Sequence, residues 1–160
     1  MAGAEERSLD VRNGQVVHYQ VIKADAKSPA SALGSAHRIL QYLAEGNLED
    51  AAALSNAPKR RFAVLHDYLD SVGADEFRRV FARFLRAENR VLAEVAIGPH
   101  HLLVWNLPAA DQQLAAQYYV EVDGRFLMDD VPSEARSQLT RILRAWRNER
   151  SPTTPSGRTD

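Results

Sequence analysis

Between Leu85 and Val91 the spacing of the apolar residues changes period, and this change divides the chain into two kinds of structure. Upstream, apolar residues recur every three or four positions, which lines them up on one face of a helix. Downstream they alternate, which lines them up on one face of a strand. Leu33, Ala36, Ile39, Leu40 and Leu43 predict a helix ending at Gly46, with Ser28 as its cap and Pro29 as its first residue. Asn47 caps a short second helix over 48–55, with Glu49 and Asp50 in the first turn, where the helix dipole favours acids. Pro58 interrupts it. A third helix carries Phe62, Leu65 and Leu69 and ends near Val72 and Gly73. A fourth carries Phe77, Val80, Phe81, Phe84 and Leu85 behind Asp75 and Glu76.

Beyond Asn89, Val91, Ala93, Val95 and Ile97 alternate up to the turn Gly98-Pro99, and the apolar run from His100 to Leu107 follows. These two segments pair as a hairpin. Leu114, Ala116, Tyr118, Val120 and Val122 share one face of the next strand, opposite Gln113, Gln117, Tyr119 and Glu121. Asp123-Gly124 then turns the chain into a strand over 125–129, because both residues accept the positive φ that tight hairpins need. Ahead of all the helices, Val17, Tyr19 and Val21 alternate over 15–23 behind Asn13-Gly14, which reads as the second arm of a hairpin. Ser133 caps a last helix. Its stripe is Ala135, Leu139, Ile142, Leu143 and Trp146, with Arg136, Arg141, Arg144 and Arg147 off the stripe. The expected class is α+β: N-terminal helices cover one side of a curved antiparallel sheet, and an amphipathic C-terminal helix remains available for docking or dimerisation.

Composition sets the boundaries. The 160 residues are 45% hydrophobic and 26% charged, enough for one core, expected over 8–150. Residues 1–7 read as a frayed end. Residues 151–160 contain no large apolar side chain to offset the cost of ordering them, and read as a disordered tail. Lysine plus arginine number 20 against 21 acids, a formal charge of -1, which leaves no footprint for general nucleic-acid binding. With no cysteine, thiolate catalysis, thiolate-held zinc and disulfides are excluded. No apolar run approaches the roughly 18 residues of a membrane span. Ala2-Gly3-Ala4 before a polar stretch is like the region after a signal cleavage site, so export with the signal removed is one expectation and a cytosolic chain the other.

Two segments carry a resemblance. Gly46-Asn47-Leu48-Glu49-Asp50-Ala51-Ala52-Ala53-Leu54 follows the first helix, and Tyr119-Val120-Glu121-Val122-Asp123-Gly124-Arg125-Phe126-Leu127-Met128 closes the sheet. Together they resemble the nuclear transport factor two-like superfamily, which includes ketosteroid isomerase. The resemblance covers roughly residues 30 to 130. It implies a strongly bent sheet that forms a cone with the first helices and encloses a pocket. The strand over 15–23, the last helix, and four helices ahead of the sheet where three are commoner depart from that pattern.

In such a cone the inward positions are His101, Leu103, Trp105, Tyr118, Phe126 and Met128, with Tyr19 joining if the first strand enters the sheet. This set is mostly apolar. Its plain alternative is a filled core, because an aromatic residue on a buried strand face usually packs. His101 and Tyr118 are the two that can orient a ligand, and the family's isomerases and dehydratases need a pocket base and a proton donor. His66 and Asp67 diverge by about 100° on a helix and form no dyad. His100 and His101 point to opposite faces of a strand and cannot share an ion, and His18 and His37 stand alone. No metal, cofactor or phosphate loop is therefore expected. The arginines read first as a solvated face; where several converge they make a patch suited to an acidic protein partner or a phosphate-bearing ligand. The expectation is a non-catalytic binding protein, its partner a protein or a small apolar ligand. The alternative is a small pocket enzyme using general acid/base chemistry on His101 and Tyr118.

Overall fold

The computed structural model describes residues 5–10, 16–22, 31–86, 90–106 and 114–150. Six strands form one antiparallel sheet in chain order: β1 (Glu5–Asp10), β2 (Val16–Ile22), β3 (Arg90–Ile97), β4 (His100–Asn106), β5 (Leu114–Val122) and β6 (Arg125–Met128). Between β2 and β3 lie α1 (Ala32–Ala44), α2 (Leu48–Ala52), α3 (Pro58–Val72) and α4 (Ala74–Phe84), and α5 (Glu134–Arg150) follows β6. The class is α+β, as the change of period requires.

Both faces of the sheet are covered, where the sequence led us to expect one. Residues opposite each other in an antiparallel ladder share a face. His101 lies opposite Tyr119, and Leu103 opposite Gln117, on one side; Leu102 lies opposite Tyr118, and Val104 opposite Ala116, on the other. On the first side Leu103, Trp105, Tyr119, Phe126 and Met128 pack with Leu33, Ile39, Leu40, Leu48, Leu65 and Phe77 of α1–α4. On the second, Val17, Tyr19, Val95, Leu102, Val104 and Leu114 pack with Leu139, Ile142 and Leu143 of α5. The stripe of α5 expected to be available for docking or dimerisation is thus buried against the sheet. Two helical layers explain why β4 is an unbroken apolar run.

Local chemistry sets the element ends. Ser31 caps α1, its hydroxyl accepting from the Gly34 amide at 2.9 Å, so the helix starts later than the Ser28-Pro29 signal, which lies outside the described residues. Gly46, at φ +80, turns the chain out of α1, and Asn47 caps α2 by accepting from the Asp50 amide. That helix stops at Ala52, short of the expected 55, because Leu54 and Asn56 turn to bond β6: the Met128 amide donates to Leu54 O, and the Asn56 amide to Met128 O. Between Val91 and Ala93 the ladder with β4 shifts register. This bulge returns Val91 to the α1–α4 side, while Val95 belongs to the α5 side, so the plain alternation of β3 misplaces Val91. Residues 5–7, expected to fray, form half of β1, because each has a ladder partner in β2. Exposed Glu5, Glu6, Arg7 and Asp10 put charge along this edge strand, which opposes pairing with another chain. The expected tail over 151–160 lies outside the described residues.

Candidate functional site

The seven expected pocket residues do not share one face. His101, Leu103, Trp105, Phe126 and Met128 face α1–α4, and all five are buried. Tyr19 and Tyr118 lie on the α5 side. The sequence reading followed the more apolar phase of β5 inward. That phase in fact feeds the second layer, and Tyr119 is the tyrosine that shares a face with His101. Burial pushes the Tyr119 phenol above its ordinary range.

His101 and Tyr118 are therefore separated by the sheet. The Tyr118 phenol meets Thr140 Oγ1 at 2.7 Å, and the Thr140 hydroxyl spends its proton on Arg136 O at 3.0 Å. A threonine has one proton, so the phenol is the donor in its own bond. The Arg136 guanidinium lies 4.6 Å from the Tyr118 ring centre, a cation–π contact that further fixes this ring on the α5 side.

Each histidine of the His100-His101 pair has a carboxylate against Nδ1, one on each side of the sheet. His101 meets Glu94, and the edge of its ring meets Phe126 with centres 4.7 Å apart. His100 meets Asp129 Oδ2 at 3.0 Å, and the other oxygen of Asp129 accepts from Asn56 Nδ2 at 2.9 Å. A carboxylate at Nδ1 holds the proton of the neutral ring there and leaves Nε2 as the acceptor. Sequence reading missed both pairs. The signal for the first was present: a hairpin turning at Gly98-Pro99 places Glu94 and His101 two positions apart on one face.

Asp130 ties α2 and α3 to the end of the sheet. Its carboxylate accepts from Arg61 Nε at 3.0 Å, from Arg61 Nη2 and from the Ser55 hydroxyl, while its amide donates to Asn56 Oδ1 at 2.7 Å. Burial alone would raise its pKa. The hydrogen bonds from Arg61 and Ser55, with the charges of Arg61 and Arg136, outweigh that and hold it below the usual carboxylate range. A carboxylate whose folded pKa is depressed contributes stability that is fully present above its unfolded pKa, about 3.9, and is lost as pH falls through the folded value. Asp130→Asn is expected to cost about 2 kcal/mol at pH 7. The urea-unfolding curves of variant and parent should then converge as the pH is lowered below about 4.

A groove of about 310 Å3 opens on the α5 side, between the β1–β2 hairpin, β3, the start of β5 and the end of α5. Val21, Leu92, Leu114 and Trp146 give it apolar walls, and Arg7 and Glu149 are its charged lining residues. Arg7 sits 5.9 Å from the Trp146 ring centre. Behind the wall, Arg147 donates twice to Leu114 O, at 2.7 and 3.1 Å. Among the described residues, no three His, Asp or Glu side chains gather as a metal-binding group, and no helix is long and apolar enough to cross a membrane. Comparison with protein-family models, curated proteins and solved structures finds no match for the chain.

Proposed function

We propose that this is a non-catalytic binding protein that seats an apolar group of its partner in the groove beside Trp146. One contrast carries the reading. Among the described residues, Leu103, Trp105, Tyr119, Phe126 and Met128 are buried and packed against α1–α4, while the opposite side leaves a recess with apolar walls within reach of solvent. Its volume is at the small end of ligand pockets, about 300–1,000 Å3. The pocket-enzyme alternative needs His101 and Tyr118 at a common point, and they face opposite layers. A nuclear transport factor two-like relationship with a strongly bent, cone-forming sheet belongs to the same proposal. It is supported by α1 running through Gly46-Asn47 into a short α2, and by the closing Asp123-Gly124 hairpin. The helix packed on the second face is this chain's own addition.

Titration with N-phenyl-1-naphthylamine, an uncharged dye that brightens in apolar surroundings, tests the groove. We expect saturable binding with Kd on the order of 10–100 μM, which suits a ligand of this size. Trp146→Ala and Leu92→Gln should each weaken it, the first by about tenfold, the fold-change of a 1.4 kcal/mol contact. Leu92 is exposed, so its replacement leaves folding intact. Absence of saturation, or an affinity indifferent to both substitutions, would overturn the reading.

A further inference from the structure

The sheet leaves one stretch of its rim undefended. At one edge β1 carries the exposed charges of Glu5, Glu6, Arg7 and Asp10; at the other, Met128 of β6 is bonded on its outer side to Leu54 O and the Asn56 amide. β6 pairs only with residues 119–122 of β5, so residues 114–118 have β4 on one side and, among the described residues, no strand on the other. The ladder decides which groups point outward, because the bonds of an antiparallel strand alternate from side to side along the chain. Leu114 O accepts from Arg147, and Tyr118 O accepts from the Asp129 amide at 2.9 Å, both on the side away from β4. Ala116, midway between them, turns its amide and its carbonyl the same way, and no described group bonds either.

We infer that this window receives an extended, uncharged segment of a partner polypeptide, which adds to the sheet through main-chain hydrogen bonds. An unpaired row of amides and carbonyls selects a strand, because a strand repeats donors and acceptors at the matching spacing. From Leu114 to Tyr118 the window is about 13 Å long, so it takes about four residues. Leu114, Ala115, Ala116, Gln117 and Tyr118 carry no charge, and the two alanines leave room for larger side chains opposite. The residue facing Ala116 lies on the α5 side beside the Tyr118 ring, which Thr140 and Arg136 fix, so a β-branched or aromatic side chain packs best there. A second copy of the same edge does not fit. Centred on Ala116, an antiparallel pair would set Leu114 opposite Tyr118 of the other copy, where Asp129 already stands. Centred on Ala115, it would ask Leu114 O for a third bond beyond the two from Arg147. The inference is independent of the Trp146 groove, although Leu114 borders both.

Amide hydrogen exchange of the intact, isotope-labelled protein, read residue by residue by NMR, provides the test. In the free protein the Ala116 amide should exchange about a hundredfold or more faster than that of Gln117, which faces β4. The probe is a short end-blocked peptide of alternating threonine and valine; its control is the same peptide with every amide N-methylated, which cannot donate. At about 1 mM the probe should slow exchange at Ala116 and Tyr118 by about tenfold, the protection given by a Kd on the order of 100 μM, and the control should slow neither. Ala116→Pro removes the outward donor at an edge position that tolerates proline, and should reduce the protection of Tyr118 by about fivefold or more. The N-methylated control carries the same comparison without any change to the protein. An Ala116 amide already protected in the free protein would overturn the inference, by showing the edge filled by the chain itself or, where protection grows with protein concentration, by a second copy. Equal slowing by the N-methylated peptide, no slowing with the probe, or undiminished protection of Tyr118 in a folded Ala116→Pro variant would overturn it as well.

Discussion

Replacing Trp105 with alanine is expected to lower the unfolding free energy by about 3–5 kcal/mol, the usual cost of emptying a large aromatic site. Trp105 is 1% exposed at the centre of the layer between the sheet and α1–α4. Its ring meets Phe84 edge-on with centres 5.5 Å apart and lies 6.4 Å from the His37 ring, and its Nε1 donates to Gln117 Oε1 at 3.0 Å. Alanine removes the ring contacts and the indole donor together, leaving Gln117 Oε1 with the Tyr119 hydroxyl at 3.5 Å. Trp105→Phe keeps most of the packing and loses only the donor, so it should cost less. Domains of this kind are stable by only about 5–15 kcal/mol, so the alanine variant should show a clear drop in its urea midpoint followed by circular dichroism. The result bears on function. A loss below about 1 kcal/mol would mean that this interior is loosely filled, and the contrast with the Trp146 groove would disappear.

The second large effect is expected at the buried pair of Glu94 and His101. Their residues are 5% and 9% exposed, so neither group can turn to water when its partner is lost. His101→Leu should cost about 3–5 kcal/mol, because it leaves the buried Glu94 carboxylate without its partner. Replacing both, Glu94→Leu with His101→Leu, should recover much of that loss, since an apolar pair of similar volume carries no desolvation cost. A double-mutant cycle reads the coupling directly. Strict additivity of the two single losses would show that the pair does not act as a unit, and that His101 owes its position to packing against Phe126 alone.

Much of the fold was legible because period and turn chemistry act locally. The four helices, the Asp123-Gly124 hairpin and the Ser133 cap, whose hydroxyl accepts from the Arg136 amide at 3.1 Å, all follow from residues within one or two turns of each other. Sidedness was not legible in β5, where apolar and mixed phases compete for two helical layers and the more apolar one looks inward. The correcting signal lay in β4. Leu102 and Val104 are as apolar as Leu103 and Trp105, which only a strand covered on both faces requires. The Glu94–His101 pair follows once the hairpin register is drawn. The Asp130 junction does not, because Ser55, Asn56 and Arg61 reach it from a distant part of the chain and no local pattern announces a tertiary contact. The groove is assembled from four strands and a helix, and only the amphipathic stripe ending at Trp146 hinted at it.

Every neighbouring pair of strands in this sheet is also adjacent in sequence, but β2 meets β3 only after four intervening helices and, among the described residues, through three ladder positions, Gln20–Ala96, Val21–Val95 and Ile22–Glu94. That seam closes the longest loop between paired strands, so it carries the largest loop-closure cost in the sheet. Arg7 and Val21 lie on one bank of it, Leu92 and Ala93 on the other. Whatever settles between those banks acts as a clasp, so occupancy and cohesion of the two halves of the sheet rise and fall together.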